Sequence, residues 1–359
     1  MAFMAFADLY DIKGTDPAWA VPQDFTAVFN WEFAPERSRL LGLYERGKTM
    51  QWNATDRLDW SLELDPEDPQ QLPPDALPIN AAPFFQSLSR REQMTIRRHH
   101  QAWSTSQFLH GEQGALICAA KIVQQVPDLD AKFYAATQVM DEARHVEVYK
   151  KLLEKFGLAY PMTAPLKQLL EQVLRDPRWD MTYLGMQVVI EGLALAAFAR
   201  IRDQAQNPLA AAVNAYVMED EARHVAFGRL SLRQYYPELS QAERDEREEF
   251  LVEACYLMRD RFDAVELWRH LDLPVAACLD HLHNSGALAS FRTRLFSRIV
   301  PTVKDIGLWG AVARKGYAQM GVLDFANVDL EAMAENDEKV ASTFDARRRH
   351  VDATIAAGA

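Results

Sequence analysis

The sequence predicts an all-α protein: a four-helix bundle made of two repeated helical hairpins, with an N-terminal arm and extra C-terminal helices. Three observations support this fold class. No segment alternates apolar and polar residues as a half-buried strand does. Four long runs of helix-forming residues are bounded by capping residues and prolines. The hexapeptide DEARHV occurs at residues 141–146 and again at 220–225, which indicates an internal duplication.

Composition narrows the class of protein. The chain has 359 residues, of which 49% are hydrophobic and 25% charged, as in ordinary folded domains. Its formal charge of −12 argues against a nucleic-acid partner, because nucleic-acid binders usually carry a basic stripe. The three cysteines lie far apart and form no paired motif. With no long apolar run and no basic leader, we expect a cytoplasmic protein without a membrane span.

Residues 1–80 differ in character from the rest of the chain. Prolines interrupt this segment repeatedly between residues 66 and 78, which excludes a long helix there. The segment also carries Trp31, Trp52 and Trp60, whose rings offer large apolar areas for burial. We therefore expect an arm that packs onto the chain's own helices, with a substrate or subunit contact as the alternative.

The first predicted hairpin begins at Ser89, which forms a capping-box pattern with Glu92. Helix formers continue to Val126, and Pro127 interrupts them. A second run ends before Gly157, a residue typical of helix C-termini. Because the break between the two runs is short, we expect them to lie antiparallel.

The second hairpin follows the same plan. One run covers residues 179–206, Asn207-Pro208 interrupts it, and the next run reaches Tyr236. The segment 158–178 is long enough to be a crossover between the hairpins. Further helices are expected as far as residue 320. The predicted organisation is an arm at 1–80, the bundle at 81–237, additional packing helices at 238–325 and a C-terminal tail at 326–359.

The duplication extends beyond DEARHV. A displacement of 79 residues aligns EQGALICAAKI at 112–122 with EGLALAAFARI at 191–201. In each copy a Glu precedes a Glu-x-x-His by 30 residues, and residues three apart share one face of a helix. In each hairpin, the number of residues from the first Glu to the turn nearly equals the number from the turn to the second Glu. Because each helical residue advances about 1.5 Å along the axis, the side chains of the two helices lie at the same height in the bundle. Six side chains are predicted to meet there: Glu112, Glu142, His145, Glu191, Glu221 and His224.

Apolar residues one helical turn away place these six side chains on the core face of the bundle. Four buried carboxylates without counter-charge would cost many kcal/mol or become protonated. Two divalent cations would neutralise them, and four carboxylates with two imidazoles are the ligand set of a dinuclear iron or manganese centre. The alternative, a duplicated helix exposed to water, does not explain the repeated spacing on an apolar face.

These residues resemble the ferritin-like superfamily of carboxylate-bridged di-iron proteins, whose pattern of Glu and then Asp/Glu-Glu-x-Arg-His occurs here twice. The resemblance covers residues 89–236. It implies that Asp141 and Asp220 accept a hydrogen bond from the free nitrogen of a ligand histidine. It also implies that Arg144 and Arg223 pair with those aspartates, with exposed helix charges as the alternative for the two arginines.

Individual members of the superfamily match less completely. Ribonucleotide reductase small subunits have a radical tyrosine at the position of Tyr149, but they usually have Asp at the position of Glu112. Bacterial multicomponent hydroxylases have a Thr where this chain has Leu195. The p-aminobenzoate N-oxygenases have a third ligand His where this chain has Val217. These departures favour a ferritin-like oxidase or oxygenase with an apolar site over a typical member of any of the three groups.

The resemblance implies a di-iron oxygenase or oxidase that activates O2, with Mn/Fe as the alternative metal pair. We expect a small, largely apolar or aromatic substrate in a pocket formed by Leu116, Ala194, Leu195 and Val217. A monooxygenase needs two electrons from outside, and the sequence contains no flavin, dinucleotide or cluster motif. A separate ferredoxin or reductase is therefore expected as a partner, and a homodimer is possible.

Two other functions stay open on the sequence. One is a radical-generating or Mn/Fe oxidase that oxidises its own Tyr149. The other is a non-catalytic, metal-stabilised bundle or a ferroxidase, in which metal binding would mainly raise the melting temperature. The sequence leaves hydroxylation, N-oxygenation and desaturation as alternative reactions.

Overall fold

The all-α prediction is confirmed. The computed structural model describes residues 6–13, 18–31, 33–34, 37–284 and 286–358, with the backbone alone at 287–288 and 347–358. Within these ranges the only strand-like feature is an isolated parallel bridge between Tyr10 and Ala159. The α-helices are α1 Ser38–Thr49, α2 Ala54–Arg57, α3 Pro83–Gln86, α4 Arg90–Gln125, α5 Leu129–Phe156, α6 Ala164–Arg175, α7 Trp179–Tyr183, α8 Glu191–Gln204, α9 Pro208–Tyr235, α10 Gln241–Asp260, α11 Val265–His270, α12 Val275–Asn284, α13 Gly286–Leu295, α14 Ile299–Asp305, α15 Ala311–Met320 and α16 Leu330–Gly358.

Two antiparallel pairs form the bundle: α4 with α5, and the stretch from α7 to α8 with α9. The predicted capping box at Ser89 is present, since its hydroxyl accepts the Glu92 N–H while the Glu92 carboxylate accepts the Ser89 N–H. α5 ends at Gly157, whose φ of 66° lies in the left-handed region that glycine tolerates. The Asn207 side chain caps α9 by accepting two backbone N–H groups. Capping side chains and a left-handed glycine therefore fix these helix ends.

A π-helical stretch at Leu184–Ile190 joins α7 to α8, and the sequence reasoning did not predict it. The Glu191 N–H donates to the carbonyl of Met186, five residues earlier, instead of the usual four. Gly185 lies in this stretch, and a Cβ atom there would be 2.2 Å from a methyl group of Val173. α6, which lies in the predicted crossover, thus packs directly against the π-helical backbone just ahead of Glu191.

The arm contains one helix of three turns, α1, which packs against α5 and α9. Ahead of it, the Val28 N–H donates to the carbonyl of Gln124 and the Asn30 side chain donates to the carbonyl of Pro127. This part of the arm therefore lies on the turn between α4 and α5. Phe29 and Trp31 nevertheless point outward, with exposures of 79% and 80%.

The C-terminal half adds a layer of shorter helices to the bundle. α10 packs against α6 and α15, and α14 packs against α9. The predicted tail contains the long helix α16, which packs along α9. Its buried Asp337 accepts from Arg202 at 3.0 Å and from Arg298 at 2.6 Å, so ion pairs as well as apolar contacts hold this helix in place.

One stretch, Trp179–Gln204, is long and apolar enough to cross a membrane by length and composition alone. Of its apolar window, 78% is buried inside the protein. A core helix of a bundle shows the same pattern, because it is apolar on most of its faces.

Candidate metal centre

The structure brings the six predicted side chains together in the middle of the bundle. They form two overlapping groups, in which one candidate ligand atom per residue lies within 4.8 Å of the others. Glu142 and Glu221 belong to both groups. The first group is Glu112, Glu142, His145 and Glu221, and the second is Glu142, Glu191, Glu221 and His224; all six residues are buried.

Both histidines turn the same ring nitrogen toward the carboxylates. His145 Nδ1 lies 2.9 Å from Glu221 Oε1 and 3.3 Å from Glu112 Oε2. His224 Nδ1 lies 3.1 Å from Glu142 Oε1. Nδ1 is thus the atom each imidazole offers to the centre, while Nε2 faces the opposite way.

The Nε2 atoms meet aspartates from the other hairpin. His145 Nε2 lies 3.1 Å from Asp220, and His224 Nε2 lies 3.2 Å from Asp141. Arg144 donates to both aspartates, at 2.7 Å to Asp220, and Arg223 donates to Asp220. Such partners fix the tautomer and the orientation of a ligand histidine.

Two arm residues complete this hydrogen-bonded layer, and sequence reasoning missed both. The Trp52 Nε1–H donates to Asp220 at 2.8 Å. The Gln51 amide donates to Asp141 at 2.7 Å and accepts from Arg144 at 2.7 Å. No spacing rule connects residues 51 and 52 with the DEARHV repeats, so only the tertiary fold reveals the contact.

A buried amide also touches the carboxylates directly. Gln138 Nε2 donates to Glu142 at 3.0 Å and to Glu191 at 2.9 Å. Gln138 precedes Glu142 by four residues and therefore shares its helix face. That spacing was the signal in the sequence that could have identified it.

The charges in the centre do not balance. Burial, and then the charge of Glu221, raise the pKa of Glu112 and of Glu191 well above the usual range. Burial alone would lower the pKa of His145 and of His224, but the surrounding carboxylates raise both. The two histidines in turn hold the pKa of Glu142 below its usual value in spite of burial. The carboxylates therefore compete for too little positive charge.

Several carboxylate oxygens in the centre have no hydrogen-bond donor. Glu142 Oε2, Glu191 Oε2 and both oxygens of Glu221 are buried without one; His145 Nδ1 lies 2.9 Å from Glu221 Oε1, but the angles there are not those of a hydrogen bond. Leaving a buried acceptor unsatisfied costs about 1–3 kcal/mol, and more when it is charged. Oxygen ligands in this number, with one imidazole on each side, fit two divalent cations.

Tyr149 lies beside the centre and is fully buried. Its hydroxyl donates to Asn214 Oδ1 at 3.2 Å, and its ring packs 5.7 Å from Phe108 and 5.7 Å from Phe198. Burial raises the pKa of Tyr149 well above its usual value, and the charges of Glu112 and Glu221 add to the shift. The residue is therefore a neutral phenol that packs against two aromatic rings beside the centre.

The four residues predicted to line a substrate pocket differ in burial and position. Val217 is buried, and Leu116 and Ala194 are half-buried. Leu195 lines a groove on the outer side of α9, beside Ala222 and Val225. Their role in binding substrate stays a prediction.

A cavity of about 70 Å³ lies between α4 and α8. Phe108, which lines it, precedes Glu112 by one helical turn, or about 6 Å along the axis. His100, Arg200 and Trp268 also line it. The cavity is thus about one helical turn from Glu112, and the Phe108 ring that lines it packs against Phe198, with ring centroids 4.7 Å apart.

The chain is similar to a known family and to several known proteins. A family model described as p-aminobenzoate N-oxygenase AurF matches residues 36–307. Uncharacterized proteins of Mycobacterium tuberculosis and Mycobacterium bovis are each 20% identical over 294 residues, covering 77% of this chain and 84% of theirs. Among solved structures, an R2-like ligand-binding oxidase with an aerobically reconstituted Mn/Fe cofactor has a TM-score of 0.43 at 16% identity, covering 81% of this chain and 93% of that chain.

Proposed function

Since this chain belongs to the p-aminobenzoate N-oxygenase family, whose model matches residues 36–307, we propose that it is an O2-dependent oxygenase of a small aromatic substrate. Membership makes it an oxidoreductase of the di-metal oxygenase and oxidase class. A third histidine was expected of this family at the position of Val217. The family model nevertheless matches the segment that contains Val217, so this difference does not exclude membership. N-oxygenation of an aromatic amine is the reaction we propose first.

The observation that carries the proposal is the set of buried carboxylate oxygens without hydrogen-bond donors. Two iron ions, or one manganese and one iron, would be held by the six residues of the two overlapping groups. When bound, such a metal pair supplies the redox chemistry by which O2 is activated. Asp220 and Asp141 hold the imidazoles of His145 and His224 so that Nδ1 faces the carboxylates.

The protein's own contribution is to exclude water and to orient the substrate. Phe108, Phe198 and the Tyr149 ring form an apolar wall on one side of the carboxylates. A dry site strengthens every electrostatic interaction inside it. This wall would also keep solvent protons from the reacting atoms while a substrate is bound.

We place the substrate in the cavity between α4 and α8. Its aromatic walls suit an aromatic ring, and Arg200 offers a cation to an acidic substituent. Burial, and then Arg200 and Arg97, lower the pKa of His100 to about 3, so this imidazole is a neutral hydrogen-bonding group. The volume of 70 Å³ is smaller than a cavity of about 150 Å³ that accepts benzene. A substrate ring would therefore require a side chain such as Phe108 to move.

A ferredoxin or reductase, a cytoplasmic location and a homodimer belong to the same proposal. The electron donor follows from the two electrons that a monooxygenase draws from outside. The exposed rings of Phe29 and Trp31 support a contact between two copies of the chain, because exposed apolar groups mark interfaces. Light scattering at several concentrations tests the dimer.

Oxygenation assays test the proposed reaction. Protein loaded with Fe2+ and supplied with a chemical reductant, 18O2 and a panel of aromatic amines should yield a product that carries 18O. Glu142→Ala should give none, because Glu142 belongs to both ligand groups. O2 consumption without any 18O in organic product would favour the ferroxidase alternative. Phe108→Ala should change the preferred substrate, whereas Phe133→Ala, on the surface of α5, should not.

A further inference from the structure

The two halves of the centre differ in one pair of amides. Displacement by 79 residues relates Gln138 to Val217 and Gln187 to Phe108. Gln187 contacts Gln138: the Nε2 atom of Gln187 donates to Gln138 Oε1 at 3.4 Å. Both glutamines are fully buried, as is Val217, and Phe108 is 5% exposed. The duplication therefore relates a polar pair, Gln138 and Gln187, to an apolar pair, Val217 and Phe108.

Gly228 provides the space for this arrangement. It corresponds to Tyr149 under the same displacement, and a Cβ atom at residue 228 would lie 2.6 Å from Gln187 Cβ. On the opposite side, the Tyr149 ring fills the equivalent volume and packs against Phe108. The sequence difference after the two DEARHV copies thus admits an amide on one side and an aromatic pair on the other.

The amide acts on a carboxylate from each hairpin. Gln138 Nε2 donates to Glu142 Oε1 from its own helix and to Glu191 Oε1 from the other hairpin. The remaining oxygens, Glu142 Oε2 and Glu191 Oε2, have no hydrogen-bond partner. Each carboxylate is therefore held by one oxygen and offers the other. At the position related to Gln138, the Val217 side chain has no donor to offer Glu112.

We propose that Gln138, supported by Gln187, is a positioning residue that orients Glu191 and makes the half-site around His224 bind its metal ion more tightly than the half-site around His145. This inference rests on the proposed dinuclear centre. Hydrogen-bonded partners of ligands usually account for about 10- to 100-fold in metal affinity, because they hold the ligand in the binding orientation. The half-site with Glu112 lacks this amide. The contact of Glu112 Oε2 is with His145 Nδ1 at 3.3 Å, and His145 is itself a candidate ligand.

Metal titration of the full-length, metal-stripped protein tests the inference. Calorimetry with Mn2+ alone, under anaerobic conditions, should resolve two affinities in the wild-type protein. Gln138→Met keeps the length and the helix preference of the side chain but removes the donor. It should lower the higher affinity by about 10- to 100-fold and change the lower one by less than about threefold. Val217→Ala, the matched control at the related position, removes no donor and should leave the difference between the two affinities unchanged.

A second variant, Gly228→Ala, changes the surroundings of Gln187 and leaves the Gln138 amide itself in place. Gly228→Ala should displace Gln187 and reduce the same affinity by a smaller factor, which keeps the inference testable if Gln138→Met fails to fold. Equal loss at both half-sites, or unchanged affinities in both variants, would overturn the inference. A wild-type protein that binds fewer than two metal ions would instead overturn the proposed centre itself.

Discussion

His145 and Asp220 belong to different hairpins, yet His145 Nε2 lies 3.1 Å from Asp220 Oδ2. The reciprocal pair, His224 and Asp141, lies at 3.2 Å. Each copy of DEARHV therefore supplies the aspartate that holds the histidine of the other copy. The two hairpins therefore depend on each other, because the imidazole of each is oriented by an aspartate of the other.

The arm takes part in this crossed arrangement through Trp52. Trp52→Phe removes the N–H that Asp220 accepts, and we expect a loss of about 1 kcal/mol in the free energy of unfolding. Metal affinity should fall as well, by up to about tenfold, because Asp220 orients His145. Trp60→Phe is the matched control, since its N–H donates to the Ala54 carbonyl away from the centre. Equal metal affinities in the two variants would show that Trp52 is only structural.

Gly185 is expected to be required for the π-helical stretch. Gly185→Ala would place a methyl group 2.2 Å from Val173 Cγ2, and overpacking of this kind costs about 1–3 kcal/mol. Gly42→Ala in α1 has no neighbour within 4 Å and should stabilise the protein by about 0.5–1 kcal/mol through helix propensity. Urea unfolding of both variants measures the two effects. A neutral Gly185→Ala variant would mean that α6 can shift without cost.

His100 should make stability depend on pH. Its pKa is about 3 in the folded chain because of burial, and then of Arg200 and Arg97, against about 6.5 when unfolded. The unfolded state therefore binds the proton first, so stability is full above pH 6.5 and decreases as the pH falls toward 3. His100→Phe should remove up to about 2 kcal/mol of the stability lost between pH 7 and pH 5. Identical pH profiles for the variant and the wild type would contradict the buried, neutral state.

Tyr149 separates the oxygenase from the radical-generating alternative. Tyr149→Phe removes one hydrogen bond, the one that the Tyr149 hydroxyl donates to the amide oxygen Oδ1 of Asn214 at 3.2 Å. We expect substrate turnover to stay within about threefold of the wild-type value, because no step of the proposed reaction passes through this hydroxyl. A tyrosyl signal in electron paramagnetic resonance that disappears in the variant together with turnover would favour the radical mechanism.

Sequence reasoning reached the helices and the six clustered residues because both depend on local spacing. Ser89, Gly157 and the Glu-x-x-His pattern act within a few residues or within one hairpin. Gln51 and Trp52 could not be found this way, since they reach the aspartates across 90 and 168 residues. The π-helical stretch was equally hidden, because no local residue pattern marks it and the packing of α6 on Gly185 within it is a tertiary contact.

The metal content of purified protein tests the central claim most directly. Glu221 is buried and belongs to both ligand groups, whereas Glu147 is exposed on α5 and pairs with Lys151 at 2.6 Å. Elemental analysis after loading with Fe2+ should find two ions per chain in the wild type and in Glu147→Ala, and fewer than one in Glu221→Ala. Retention of two ions by a folded Glu221→Ala protein would contradict the proposed centre.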